Sequence, residues 1–293
     1  MPTISIQTKK MGDLETILSA ADNNLLIIHD GNGMKTITVG NLKKDLKELI
    51  TTADNKLAQL TYNNAGAHNA IYRGKALGSS VTTAQYAAIE AGTFEDLYIG
   101  DYWTIGDVNY RIAAFDYYLH CGDTECTKHH VVLVPDTCLY TAKMNSSTTT
   151  TGGYVGSEMY KTNLENARTI IKNAFSGHVL NHRIYVTNAT SNGYVSAGIW
   201  ADSELGLMCE QMVYGTGIFS PVSTGGAVPT NYKIEKSQLP LFALEPSRIC
   251  NRASWWLRDV ISASAFAGVD NSGLANYFND NISRGVRPAF AIS

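Results

Sequence analysis

The run HCGDTECTKHH (residues 120–130) gathers His120, Cys121, Cys126, His129 and His130 into eleven positions. Imidazole and thiolate are the usual zinc ligands. However, Cys-x4-Cys with a His after two intervening residues is not an established finger spacing, and no second ligand pair follows. The first reading is therefore an Asp- and Thr-rich turn between two strands, with His129 opening the strand HHVVLVPD. A structural metal and a Cys121–Cys126 disulfide formed after release are the alternatives. Nucleophilic chemistry would need Ser or Cys beside a His. Cys209 reads as a core residue in the middle of a helix, and Cys250, just before SWWL, as another buried thiol. Asp116, Asp123, Asp202, Glu210, Glu245 and Asp259 show no spacing that pairs two of them for acid–base work. G-x-x-x-x-G-K-[ST], G-x-S-x-G and H-E-x-x-H are all missing. The sequence thus assigns no catalytic residue, no metal and no cofactor.

The strongest structural signature lies near the C-terminus, in WWLRDV and GVRPAF. Trp255 and Trp256 bury a large apolar area wherever they pack. Arg258, Asp259 and Arg287 stand among apolar residues, where a guanidinium requires carboxylate or carbonyl partners. All five read as scaffold. Between them lies ISASAFAGVDNSGLANYFNDNISRG (261–285), which keeps neither a helical nor a strand period. It lacks Lys, Glu, Gln, Met and Trp altogether.

The elements that must carry these residues follow from patterning. NLLIIHD and MKTITVG, joined by Gly31-Asn32-Gly33, predict a β-hairpin. DLETILSAAD predicts a short helix before it, with Leu14, Ile17 and Leu18 on one face. In NLKKDLKELITTADNKLAQL, Asn41 can cap a helix. Leu42, Leu46, Leu49, Ala53 and Leu60 recur at heptad spacing, interrupted by Lys56. This is a short coiled-coil stalk or an amphipathic helix packed on its own domain. TYNNAGAHNAIYRG (61–74) reads as a linker. Beyond about residue 70, short aromatic-rich strands (96–119 and 129–137) alternate with loops. Helices are expected over 163–175 and over 203–215, the latter capped by Ser203. The low-complexity run NSSTTTTGG (145–153) reads as a mobile surface loop. The expected organisation is an N-terminal unit (1–40), a helical stalk and linker (41–69) and an α+β domain (70–293) containing a special segment at 254–285.

The chain has 293 residues, 44% of them hydrophobic and 17% charged, with a formal net charge of −3. A core of ordinary size is affordable, and no long-range positive field exists to draw nucleic acid or acidic membranes. No apolar run approaches the roughly 18 residues of a membrane span, and MPTISIQTKKMGDLETIL lacks the apolar core of a secretory signal. Five cysteines spread over a long stretch argue against a dense disulfide framework. No nucleic acid partner and no membrane insertion are expected.

The segment WWLRDV-ISASAFAGV…GVRPAFAIS resembles the variable proteins of diversity-generating retroelements, in particular those carried by phages. YRIAAFDYYLHCGDTECTKHHVVLVPD, GGYVGSEMY, CEQMVYG and KSQLPLFALEP upstream share the likeness, which runs from about residue 70 to the end. Residues 1–45 resemble, more loosely, the leading segments of phage tail-fibre proteins. The resemblance implies a C-type lectin fold of the formylglycine-generating-enzyme variety. It also implies a coding region rewritten by adenine misreading, a process that leaves Lys, Glu, Gln, Met and Trp unreachable. The exchanged positions would be Ala265, Gly268, Asp270, Asn271, Ser272, Leu274, Asn276, Tyr277, Phe278, Asn279, Asn281, Ile282 and Arg284. Ser262, Ala263, Phe266, Ala267, Val269, Gly273, Ala275, Gly285 and Val286 would hold them in place. The implied function is a receptor-binding or tail-fibre protein: a homotrimer on the virion, docked through its N-terminus on phage tail or baseplate proteins and binding a host-cell surface protein or glycan. Two other readings share the scaffold. One is a bacterial surface display protein. The other is an enzyme of the formylglycine-generating type, for which Cys209 and Cys250 would be the reactive pair.

Overall fold

β-Branched residues on either side of residues 30–32 pair as the hairpin pattern predicts. In the computed structural model, β1 (Leu25–His29) runs antiparallel to β2 (Met34–Thr38), with Ile27 opposite Thr36. Residues 23–29, 33–60, 63–187, 190–191, 194–195, 198–220 and 237–293 are described. The helix expected at 13–22 lies outside them. The chain divides into two units, residues 1–62 and 63–293.

In the first unit β2 passes directly into α1 (Val39–Leu60). The cap is Thr38, not Asn41: the Asn41 amide donates to Thr38 Oγ1 at 3.1 Å. The Val39 amide donates to the Asn24 carbonyl at 2.8 Å, so the helix begins where the hairpin delivers it. Leu42 is half-buried, whereas Leu46 and Leu49 are 52% and 71% exposed. The side chains of Ala53, Lys56 and Leu60 lie outside the described set.

The second unit is α+β. Its start differs from the linker reading of 61–74. Asn64 Oδ1 accepts from the Ala67 amide and caps α2 (Ala65–His68). Asn69 exchanges hydrogen bonds with the Phe115 backbone at 2.8 and 2.9 Å. Arg73 donates to the fully buried Asp101 carboxylate. The unit boundary therefore falls at 62/63 instead of 69/70.

After β3 (Ala76–Gly78) and α3 (Thr83–Glu90), β4 (Tyr102–Ile105) and β5 (Val108–Phe115) form a hairpin through Gly106 and Asp107. Both turn residues have positive φ, as a two-residue turn requires. There follow β6 (Val131–Pro135), β7 (Tyr140–Ala142), α4 (Gly153–Gly156) and α5 (Glu165–Phe175). Next come β8 (His182–Thr187), β9 (Thr190–Ser191), β10 (Tyr194–Val195), β11 (Gly198–Ser203) and β12 (Leu205–Leu207). The chain ends with α6 (Glu210–Tyr214), α7 (Pro240–Leu244), β13 (Trp255–Ser262), β14 (Ala265–Val269), β15 (Ala275–Asn279), β16 (Arg284–Val286) and β17 (Pro288–Ile292).

Two sheets organise the unit. One has the order β12-β17-β6-β5-β4-β3, the other β15-β14-β13-β16-β7. β6 and β17 are buried along their whole length, which explains their unbroken apolar sequence. Ala167, Ile171 and Phe175 of α5 are buried as the helical pattern predicts, and Phe175 packs 5.2 Å from Phe290 of β17.

The segment expected as one helix over 203–215 is instead strand β12 followed by the short α6. Leu205 and Leu207 pair with Phe290 and Pro288 at the sheet edge, so those apolar residues serve a ladder. Ser203 ends β11 and caps nothing. Cys209 stands at the cap of α6, its sulfur accepting from the Met212 amide.

The C-terminal motif marks a change of sheet. β16 belongs to the second sheet and β17 to the first, with Arg287 at the step between them. The Arg287 guanidinium is buried and donates to the carbonyls of Pro135 (2.8 Å), Arg248 (3.0 Å) and Ile249 (3.3 Å). It also lies over the Trp255 and Phe242 rings. Burial lowers its pKa to about 10, still charged at neutral pH. Trp256, on the opposite face of β13, donates Nε1–H to the Ala142 carbonyl. Arg258 donates to the Leu207 carbonyl. Trp255, Trp256, Arg258 and Arg287 are buried and Asp259 is half-buried.

Candidate binding face

β14 and β15 form an antiparallel hairpin at the edge of the second sheet, in the register Ala265–Asn279, Phe266–Phe278, Ala267–Tyr277, Gly268–Asn276 and Val269–Ala275. Their connection is tied by Asp270. Its Oδ1 accepts from the amides of Ser272 (2.8 Å) and Leu274 (3.0 Å), and Gly273 takes the positive φ that the turn demands. Asn271, Ser272, Leu274, Tyr277 and Asn279 are exposed. Asp270, Asn276, Phe278, Asn281, Ile282 and Arg284 are half-buried. The sequence-derived set therefore gathers on one hairpin and its two loops.

Ala265 and Gly268 are corrections to that set, because both are buried. A Cβ built on Gly268 would lie 2.4 Å from the Phe278 ring and 2.8 Å from the Trp255 carbonyl oxygen. Gly268 is therefore the floor of a slot filled by Phe278. The same ring meets Trp256 edge-on at 5.7 Å, and the Arg284 guanidinium covers it at 4.6 Å. Phe278 is clamped, whereas Tyr277 points outward and is half exposed. Of the positions expected to support the face, Phe266, Ala267, Val269, Gly285 and Val286 are buried; Ser262, Gly273 and Ala275 are partly so, and Ala263 is exposed.

Three features were missed from sequence. Asp280 is wholly buried. Its Oδ2 accepts from the Thr149 amide, and its carbonyl accepts from the amides of Met144 and Asn145. Asp280 thereby pins the 145–153 run, which is anchored and not a free loop. Thr150 donates to the Ser262 carbonyl, and Asn281 to Thr148 Oγ1. Repeated Ser and Thr masked these contacts, because low complexity carries no long-range pairing signal. The second feature is Glu210, also buried, whose carboxylate receives the amides of residues 218–220. The third is Phe219, which those bonds place 5.3 Å from the Tyr277 ring.

Asp259, under this region, accepts from the Glu210 amide at 2.6 Å. Burial and then the nearby Glu210 carboxylate raise its pKa to about 6 against the hydrogen bond and Arg258, which lower it.

The HCGDTECTKHH residues are occupied in separate bonds. His120 pairs with Glu125 and His129 with Asp116 (2.8 Å). The buried His130 contacts the Lys128 carbonyl and accepts from the Tyr118 amide. The Cys121 thiol donates to the Leu119 carbonyl and the Cys126 thiol to the Lys128 carbonyl. Among the described residues, no group of three or more His, Cys, Asp or Glu side chains is arranged to hold a metal ion. Cys209 is buried, and that burial raises its thiol to about 11, the opposite of what a nucleophilic thiolate needs. Cys250, expected to be buried, is exposed and donates to the Asn271 carbonyl, because the chain there runs beside the 270–274 turn.

Comparison with protein-family models, curated proteins and solved structures finds no match for this chain.

Proposed function

We propose that this is a phage receptor-binding protein whose β14–β15 hairpin and adjoining loops carry exchangeable side chains that contact the host surface, on a C-type lectin fold. One observation carries the reading. The stretch lacking Lys, Glu, Gln, Met and Trp places most of its irregular positions on one exposed hairpin, while WWLRDV and GVRPAF, which flank it, are buried and pinned. A rigid frame that displays variable loops is the arrangement an adaptable binding surface requires. Tyr277 supplies an outward aromatic anchor. Asn276, Asn279 and Asn281 supply adaptable amides. The exposed Leu46 and Leu49 of α1 support trimerisation through that helix, which would multiply weak single-site affinity by avidity. The N-terminal hairpin would then face the virion.

The test is adsorption of phage particles to host cells after residues 269–284 are replaced by another sequence free of Lys, Glu, Gln, Met and Trp, keeping Gly273, Phe278 and Asp280. Particles should assemble and adsorption should be redirected or lost, with or without chelator. Unchanged adsorption refutes the reading.

A further inference from the structure

We propose that the 216–220 loop, outside the variable stretch, is a fixed half of the binding face, and that the combined patch grips an apolar segment of a protein partner. This rests on the reading of the hairpin as a binding face.

The loop is built around a buried charge. Glu210, 1% exposed, accepts from the amides of Ile218 (2.9 Å), Phe219 (3.0 Å) and Ser220 (2.9 Å), and from the Ser220 hydroxyl (2.6 Å). Charge-assisted bonds to consecutive amides fix a backbone strongly. What they hold up is apolar: Ile218 and Phe219 remain 48% and 40% exposed. A loop needing only closure would turn such side chains inward. Phe219 meets Tyr277, and Tyr214, at the end of the same helix, donates its hydroxyl to the Gly273 carbonyl at 3.1 Å. The loop thus meets the strand that carries Tyr277, and the helix it follows is fastened to the turn that carries Leu274.

Seven large apolar side chains are exposed among the described residues of the second unit. Ile218, Phe219, Leu274 and Tyr277 are four of them. An apolar cluster of this kind marks a contact surface. Its chemistry favours protein over glycan. The charged groups beside the patch are spent inside the fold: the Glu210 carboxylate and Asp270 Oδ1 accept backbone amides, and the Arg284 guanidinium covers Phe278. What rims the apolar side chains is neutral, including the Asn276 and Asn279 amides, as at the edge of a protein interface. An apolar peptide segment matches the remaining surface.

The experiment selects displayed random dodecapeptides on the full chain and measures the affinity of the recovered peptides for five variants. Leucine- and aromatic-rich peptides should emerge. Phe219→Ala should weaken them about 30-fold, the scale of an anchor residue, and Phe219→Tyr should restore most of the binding. Glu210→Gln should weaken them while the chain stays folded by circular dichroism, and Leu244→Ala, at an exposed site elsewhere, should change nothing. Affinity lost in Tyr277→Ala but kept in Phe219→Ala overturns the fixed half and leaves the hairpin reading standing. Affinity kept in both refutes the face itself. Capture of glycans from an array, with no peptide recovered, overturns the protein partner.

Discussion

Gly268 offers a direct test of how much of the 261–285 stretch is free to vary. Its backbone conformation suits any residue, so an alanine there meets no dihedral strain. The obstacle is the Phe278 ring at 2.4 Å and the Trp255 carbonyl at 2.8 Å. The carbonyl belongs to a paired strand and cannot withdraw. The ring can swing out, but it then leaves Trp256 and the Arg284 guanidinium. A half-buried Phe forfeits about 1–1.5 kcal/mol in doing so, and residual overpacking against backbone adds about 1–2 kcal/mol. Gly268→Ala should therefore cost about 2–3 kcal/mol, and Phe278→Ala about 1–2 kcal/mol. The double variant should cost about 2–3 kcal/mol, well short of the sum, since the ring can be lost only once. Urea denaturation of the four proteins, with m-values shown to be equal, measures the cycle. Additivity within about 0.5 kcal/mol would refute the slot, as would Gly268→Ala within that margin of the parent protein.

Asp259 should give stability a distinct pH dependence. Its carboxyl is raised in the folded state to about 6 from the ordinary value near 4, so between those values the folded chain holds the proton that the unfolded chain releases. This contribution to stability is full below about pH 4 and is lost as pH rises through 6. Asp259→Asn should therefore gain on the parent protein as pH goes from 4 to 7. Denaturation curves whose separation does not change with pH would refute the assignment. In the first unit, Leu46→Asp with Leu49→Asp should reduce the chain from trimer to monomer in light scattering and leave the thermal transition of residues 63–293 in place; a parent protein already monomeric at micromolar concentration would refute the stalk.

The strands of 102–135, α5 and the β1–β2 hairpin were legible because their periodicity and turn residues act over a few positions, and a local pattern reports what one element buries. The same holds for Trp255, Trp256, Arg258 and Arg287: aromatic pairs and lone guanidinium groups among apolar residues have few sites other than a pinned core. The absence of five residue types marked out 261–285 without any geometry. The tertiary structure decided what covers what. Ala265 and Gly268 are small residues that an exposed loop would also accept, yet both lie in β14, which is buried along its length, with the Phe278 ring over Gly268. Leu205, Met208 and Met212 keep a helical spacing, yet pairing with β17 at the sheet edge takes Leu205 and Leu207 into β12. Asp280 and Thr150 are ordinary polar residues until segments distant in the chain deliver the amide and carbonyl they bind, and Glu210 until the loop after its own helix folds back onto it. Burial by one's own element is written in local order, whereas burial by another element depends on contacts between residues as far apart as Thr149 and Asp280, for which a single sequence has no local sign.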